Sequence, residues 1–173
     1  MDNKMKDTIK NIIPYIIVII IVVLLRCFII TPVHVVGSSM NPNLKNGELM
    51  LLNKIKYRFS EIERFDIVVV DHKEKPLIKR VIGLPGEKVE YKDNVLYING
   101  EAVEEKFEKN GITYDYELSE TGYDVIPENM YFVVGDNRIN SSDSRTIGLI
   151  ERKEITGKAN FILIPFDNFG FIE

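Results

Sequence analysis

Val89-Glu90-Tyr91-Lys92-Asp93-Asn94-Val95-Leu96-Tyr97-Ile98-Asn99-Gly100-Glu101-Ala102-Val103 is the stretch on which the fold turns. Residues 89–91 and 95–98 place β-branched and aromatic side chains on either side of Asp93-Asn94, which predicts a hairpin. Asn99-Gly100 is a stronger turn signal still, because both residue types accept the positive φ angles of a type I′ turn. It leads into a third short strand at residues 101–103.

The same pattern continues in both directions. Upstream, residues 31–36, 49–52, 66–70 and 77–84 read as strands. Pro32 lies near the start of the first, where a strand tolerates proline, and Pro85-Gly86 closes the last. The β-branched run at 66–70 predicts a buried strand. Downstream, residues 124–126, 131–134 and 158–164 complete the set. Residues 53–63 are mixed and charged, residues 72–76 form a polar loop, and residues 104–120 read as a charged surface excursion. Beyond the N-terminus there is no 3.6-residue apolar period, no internal repeat and no low-complexity tract. Many short strands separated by turns predict a mainly β domain over residues 31–173.

The chain has 173 residues, 45% apolar and 28% charged, with a formal net charge of −4. Up to Arg26 the charge is +2, from Lys4, Lys6, Lys10 and Arg26 against Asp2 and Asp7, so the remainder carries −6. An acidic domain without a basic, aromatic-rich patch is a poor partner for nucleic acid. The single cysteine, Cys27, cannot form an intrachain disulfide, and no Cys/His spacing suggests a metal site. No cofactor is expected.

Residues 12–25 are apolar apart from Pro14 and the amphipathic Tyr15, and after Arg26 the apolar character resumes through residue 30. This is close to the roughly 20 residues that span a bilayer as a helix. Pro14 falls in the first turn, where its missing N–H does little harm, and Arg26 can snorkel to the headgroups. The lysines that precede the span predict a cytoplasmic tail at residues 1–11 and an extracytoplasmic domain after the span. A cleaved leader would need a small-x-small site after the apolar run, and none is present. A buried core helix would be expected to show a polar face, which this run lacks.

Just past the span, Gly37-Ser38-Ser39-Met40-Asn41-Pro42 places a hydroxyl at the end of a strand. Such a stretch is an ordinary turn unless other residues can activate the serine. His34 is too near in the same extended lead-in to fold back onto Ser39, and His72 lies in a charged loop. A Ser-His-Asp triad is therefore poorly supported. Lys79 sits in the otherwise apolar strand Leu77–Leu84, where alternation sends it and Arg80 to opposite faces. Burial lowers a lysine pKa, and moving it from ~10.4 to near 7 requires about 4.6 kcal/mol from the fold. The bland reading is a snorkelling strand lysine. Residues 135–145, Gly-Asp-Asn-Arg-Ile-Asn-Ser-Ser-Asp-Ser-Arg, concentrate polar groups at a strand end. A calcium loop fails there, since Arg138, Ser141 and Ile147 replace the ligands and the glycine that it requires. Asp–Arg pairs could instead fix this loop, and Ser141 could orient a neutral lysine. A purely structural polar turn also fits.

Taken in order, these stretches resemble the bacterial type I signal peptidases. Residues 39–44, Ser-Met-Asn-Pro-Asn-Leu, are similar to the family's S-M-x-P-T-L, and residues 64–69, Arg-Phe-Asp-Ile-Val-Val, to its R-G-D-I-V-V. Residues 79–86, Lys-Arg-Val-Ile-Gly-Leu-Pro-Gly, and the Gly135-Asp136-Asn137-Arg138 segment with Ser141, Asp143, Ser144 and Arg145 complete the match. The resemblance implies an antiparallel β domain tethered by an N-terminal helix in the bacterial cell membrane. It implies Ser39 as nucleophile and Lys79 as general base, with Ser141 orienting the lysine. Asp136, Arg80, Asp143 and Arg145 would be structural charges at the site, beside Met40 and Pro42 of the serine motif. The partners implied are signal peptides of exported pre-proteins, cut after small residues, together with the bilayer and the export machinery. Asn43, Phe65 and Gly37 depart from the family pattern, the last leaving the oxyanion hole one donor short. A self-cleaving Ser/Lys peptidase and a silent, membrane-tethered peptide-binding module are the alternative readings.

Overall fold

The computed structural model describes residues 3–73 and 75–172, with the side chains of residues 3–9 and 24–28 outside the description. A helix, α1 (Asn3–Phe28), precedes β1 (Ile30–His34) and β2 (Leu49–Asn53). A one-turn helix, α2 (Lys56–Phe59), leads to β3 (Ile67–His72) and β4 (Lys75–Gly83). Then come β5 (Val89–Lys92), β6 (Val95–Ile98), β7 (Glu101–Val103), β8 (Tyr116–Glu117) and β9 (Met130–Val134). A second one-turn helix, α3 (Ser144–Ile147), is followed by β10 (Ile150–Glu151), β11 (Ile155–Ile164) and β12 (Gly170–Phe171).

The strands form two antiparallel sheets. The larger runs β1-β2-β11-β3-β4-β9-β10, with β12 added on β11, and the smaller runs β7-β6-β5-β8. The quoted stretch supplies three of the small sheet's strands, joined by the two predicted turns, with Val89 opposite Ile98 and Ile98 opposite Glu101. Asp93, Asn94, Asn99 and Gly100 all have positive φ, as tight hairpin turns require. The β-branched run Ile67–Val70 is buried throughout at the centre of the large sheet. Its alternating residues feed two separate apolar clusters, Ile67 and Val69 in one and Val68 and Val70 in the other. A sheet covered on both faces explains why this strand has no polar face.

Four expectations change. Residues 124–126 are not a strand: Ile126 instead exchanges backbone hydrogen bonds with Glu87 and Gly86 and plugs a core cluster. The 72–76 loop is a tight hairpin, with His72 opposite Lys75, and Glu74 lies outside the described residues. Residues 104–120 do run along the surface but are pinned by buried Thr113, Tyr116 and Leu118, and Asn110 bridges Asn137. Short helices interrupt the β domain at α2 and α3, each too short to show an apolar period.

The N-terminal helix ends at Phe28, and Ile30 already pairs with Asn53 as the first residue of β1. The side chains at residues 10–23 are all exposed and, from Ile12, almost uniformly apolar. Among the described residues no helix is long and apolar enough to cross a membrane. The readings placed on Lys4, Lys6, Arg26 and Cys27 lie outside the described side chains.

Candidate active site

Strand β1 delivers the chain to a turn at residues 37–42 that is fastened at both ends. Val35 exchanges backbone hydrogen bonds with Glu48 and Gly47, Gly37 N–H donates to Asn46 Oδ1, and Asn41 N–H donates to Ser38 O. Met40 and Leu44 are buried in the core behind it, which turns Ser39 towards the surface. Pro42 lies half-buried in the same turn.

Lys79 approaches from β4. Its side chain is buried, and Nζ donates to Ser39 Oγ at 2.8 Å and to Ile78 O at 2.9 Å. Loss of hydration lowers its pKa from 10.5 to about 8, against the opposing pull of Asp143 and Asp136. The fold thus supplies a lysine with an appreciable neutral fraction near physiological pH, in contact with a hydroxyl. Arg80, the next residue, reaches separate partners. It makes a bidentate pair with Asp136 at 2.9 and 2.8 Å, donates to Phe65 O and stacks over Phe107 at 3.9 Å. Both members of that pair are fully buried.

The 135–145 loop closes over the serine turn. Asn137 N–H donates to Ser39 O and Asn137 Nδ2 to Ser38 O, while Asn140 Nδ2 donates to Ser38 Oγ. Asp143 caps α3, accepts from Gly135 N–H and pairs bidentately with Arg145, whose guanidinium also donates to Arg138 O. Burial raises the Asp143 pKa, but Arg145 and the Gly135 N–H more than offset this and hold the carboxylate low. Ser141 contributes to that effect, yet its buried hydroxyl makes no well-formed hydrogen bond. Lys79 donates to Ser39 and Ile78 and not to Ser141. Ser141 is nonetheless adjacent: a Cβ built on Gly135 would lie 2.2 Å from its Oγ and 2.4 Å from Ser39 O.

Several residues to which the sequence assigned no role at the site complete the arrangement. Asn43 donates to Asp136 Oδ2 and to Glu108 O, so the departure from threonine ties the serine motif to the buried pair. Phe65 occupies positive φ, at 70°, where a glycine would be unstrained, and its ring packs edge-on against Phe107. Glu105 pairs with buried Arg138. The polar motif around Asn137 carried some signal for these residues; Phe107, Glu105 and Asn43 depend on contacts distant in sequence.

A cleft of about 250 Å³ opens beside the pair, with walls from Val33, Val35, Val36, Met40, Leu77 and Ile78. Ser39 and Lys79 lie in it, and so does His34, an exposed residue that makes no hydrogen bond to Ser39 among the described contacts. His72 pairs with Glu154 instead.

The family model described as signal peptidase, peptidase S26, matches residues 6–164. The chain belongs to the type I signal peptidase family. A signal peptidase I of Bacillus caldolyticus is 39% identical over 91% of this chain and 92% of its own length. A signal peptidase IB of Staphylococcus aureus (strain MRSA252) is 37% identical over 96% of this chain and 94% of its own. A crystal structure of a signal peptidase I from Enterococcus faecalis V583 superposes with a TM-score of 0.52 at 39% identity, covering 57% of this chain and 97% of that one.

Proposed function

We propose that this family member removes signal peptides from exported proteins through a Ser39/Lys79 dyad. The observation that carries the reading is the 2.8 Å contact between a buried lysine of lowered pKa and a serine hydroxyl at an open cleft. Neutral Lys79 takes the Ser39 proton as Oγ attacks the scissile carbonyl. The carbon–nitrogen bond then breaks, and Lys79 returns the proton to the leaving amine. Water attacks the resulting ester and regenerates Ser39. The Ser39 backbone N–H, which makes no hydrogen bond among the described residues, is available to the developing oxyanion. Asp143, Arg145, Asp136 and Arg80 hold the loop and strand that bring the dyad together, and Ser141 packs beside Gly135.

The cleft favours an extended substrate. Strand β9 pairs with β4 only from Arg80 onward, so the β4 edge at residues 76–78 faces the cleft without a strand neighbour there. A peptide can add along that edge, with alternate side chains directed into the apolar walls. Branched residues crowd those walls, which suits small side chains at the first and third positions before the bond.

The reading also places α1 in a membrane, with the N-terminus cytoplasmic and the β domain outside. It is supported by the exposed apolar side chains of residues 12–23 and by exposed Phe166, Phe169 and Phe171 in and just before β12. Enzyme and substrate would then share one bilayer, which raises their effective concentration. Incubation of the detergent-solubilised protein with a pre-protein tests the dyad. The unmutated chain is expected to release the signal peptide, and Ser39→Ala and Lys79→Met to lose all cleavage while keeping the folded circular-dichroism spectrum. Cleavage by either variant would overturn the assignment.

A further inference from the structure

The two residues between β1's buried end and the serine pair have little packing to hold them. Val36 is 84% exposed, and a Cβ built on Gly37 would meet nothing within 4 Å. Gly37 also has a φ of 90°, a conformation that glycine enters and leaves more freely than any other residue. The chain is anchored on either side of them. Val35 is buried and exchanges backbone hydrogen bonds with Glu48 and Gly47, while Asn137 donates to the carbonyls of Ser38 and Ser39. Between these anchorages, Val36 and Gly37 make a single hydrogen bond among the described residues. It runs from Gly37 N–H to Asn46 Oδ1, at 2.8 Å.

Asn46 itself is exposed and is not among the residues that wall the cleft, whereas Gly37 is. It reaches the cleft only through the peptide it holds. Gly37 brings no side-chain donor, so an oxyanion formed there leans on the Ser39 backbone N–H, two peptides further on. Such a donor is useful only when it is already aimed at the place where the charge develops. A glycine free to turn would let that aim wander.

We infer that Asn46 is a positioning residue for the reaction, which by clamping the Gly37 peptide fixes the direction of the Ser39 N–H. The inference rests on Ser39 as the nucleophile.

The test pairs turnover with binding of a peptide aldehyde that carries the signal-peptide portion of a substrate. Ser39 Oγ bonds to the aldehyde carbon, the carbonyl π pair moves to oxygen and the Ser39 proton passes to Lys79. The alkoxide so formed lies where the oxyanion of the reaction would lie. The full-length protein in detergent is compared with Asn46→Leu, which removes the acceptor at similar size, and with Asn46→Asp, which keeps it. In Asn46→Leu, kcat is expected to fall about tenfold with KM changed by less than about twofold, and the aldehyde Ki to rise by the same factor as kcat falls. Asn46→Asp should stay within about threefold of the unmutated chain in both measurements. An unchanged kcat in Asn46→Leu overturns the inference, and so does an equal loss in Asn46→Asp. A fall in kcat with an unchanged aldehyde Ki also overturns it, because loss of folded enzyme lowers turnover without weakening the adduct. Failure of the dyad is separate: it would appear as cleavage by Ser39→Ala.

Discussion

Lys79 meets opposing demands. Its ammonium loses water on burial, which lowers the pKa to about 8, while Asp143 and Asp136 pull the other way. Only the neutral amine can accept the Ser39 proton, so kcat/KM is expected to rise about tenfold per pH unit up to about 8 and then level off. A flat profile from pH 6 to 9 would show that another group is the base. The same shift acts on stability. The folded chain binds fewer protons than the unfolded one between about 8 and 10.5, so this group makes stability rise with pH across that window. Below it the burial penalty is complete, on the order of 3 kcal/mol. Lys79→Met removes the penalty, and its stability relative to the unmutated chain should fall by roughly 2–3 kcal/mol between pH 7 and pH 10. Urea titrations at the two pH values measure this, and an offset independent of pH would refute it. Gly135 is as exacting in another way, since its Cβ position is already occupied by Ser141 Oγ and Ser39 O. Gly135→Ala is expected to cost about 1–3 kcal/mol from overpacking. Displacing the Ser39 backbone should also lower kcat on the order of 100-fold. Normal turnover with an unchanged melting temperature would show that the loop yields freely.

At the scale of elements, the serine turn and the 135–145 loop are joined through a buried ion pair. Asp136 sits at the centre, accepting from Arg80 on β4 and from Asn43 after the serine turn. Asp136→Asn leaves Arg80 charged and unpaired in a site where both partners are fully buried, and is expected to destabilise by about 3–5 kcal/mol. Chemical denaturation checks this; a loss below about 1 kcal/mol would mean that Phe65 O and the Phe107 ring suffice for the guanidinium. Strands were legible where turn chemistry and β-branched runs agree, as at Asp93-Asn94, Asn99-Gly100 and Ile67–Val70. Lys79 and Arg80 were legible as paired oddities in an apolar strand. Ile126 was misread as part of a strand because burial, which it has, does not depend on strand pairing, which it lacks. The segment at 104–120 looked like solvated charge because Glu105 finds Arg138 only across the fold. One-turn helices such as α3, set by the Asp143 cap, are too short to leave a period. Phe65 holds a backbone conformation better suited to glycine, and its packing against Phe107 accompanies that strain.

For the whole molecule, the proposed reading makes the two sheets the catalytic body and α1 the tether that carries it to its substrate. The helix joins the body where Ile29 O accepts from Lys54 N–H and β1 begins, on the sheet that also presents the turn bearing Ser39. On the reading proposed above, the exposed apolar side chains of α1 at residues 12–23 would lie in lipid. The same reading has the lysines that precede it set the orientation, with the N-terminus cytoplasmic. The chain's one cysteine makes this directly testable, because Cys27→Ser yields a thiol-free background. In that background, Asp2→Cys marks the N-terminus and Ser119→Cys, on an exposed part of the β domain, marks the other side. A membrane-impermeant maleimide added to intact cells is expected to label the cysteine at 119 and to reach the one at 2 only after lysis. Alkaline carbonate should leave both variants in the membrane fraction. Labelling at position 2 in intact cells would reverse the orientation, and release by carbonate would remove the span. Either result would also separate the dyad from the place where its substrates emerge, since Ser39 lies only a few residues beyond β1.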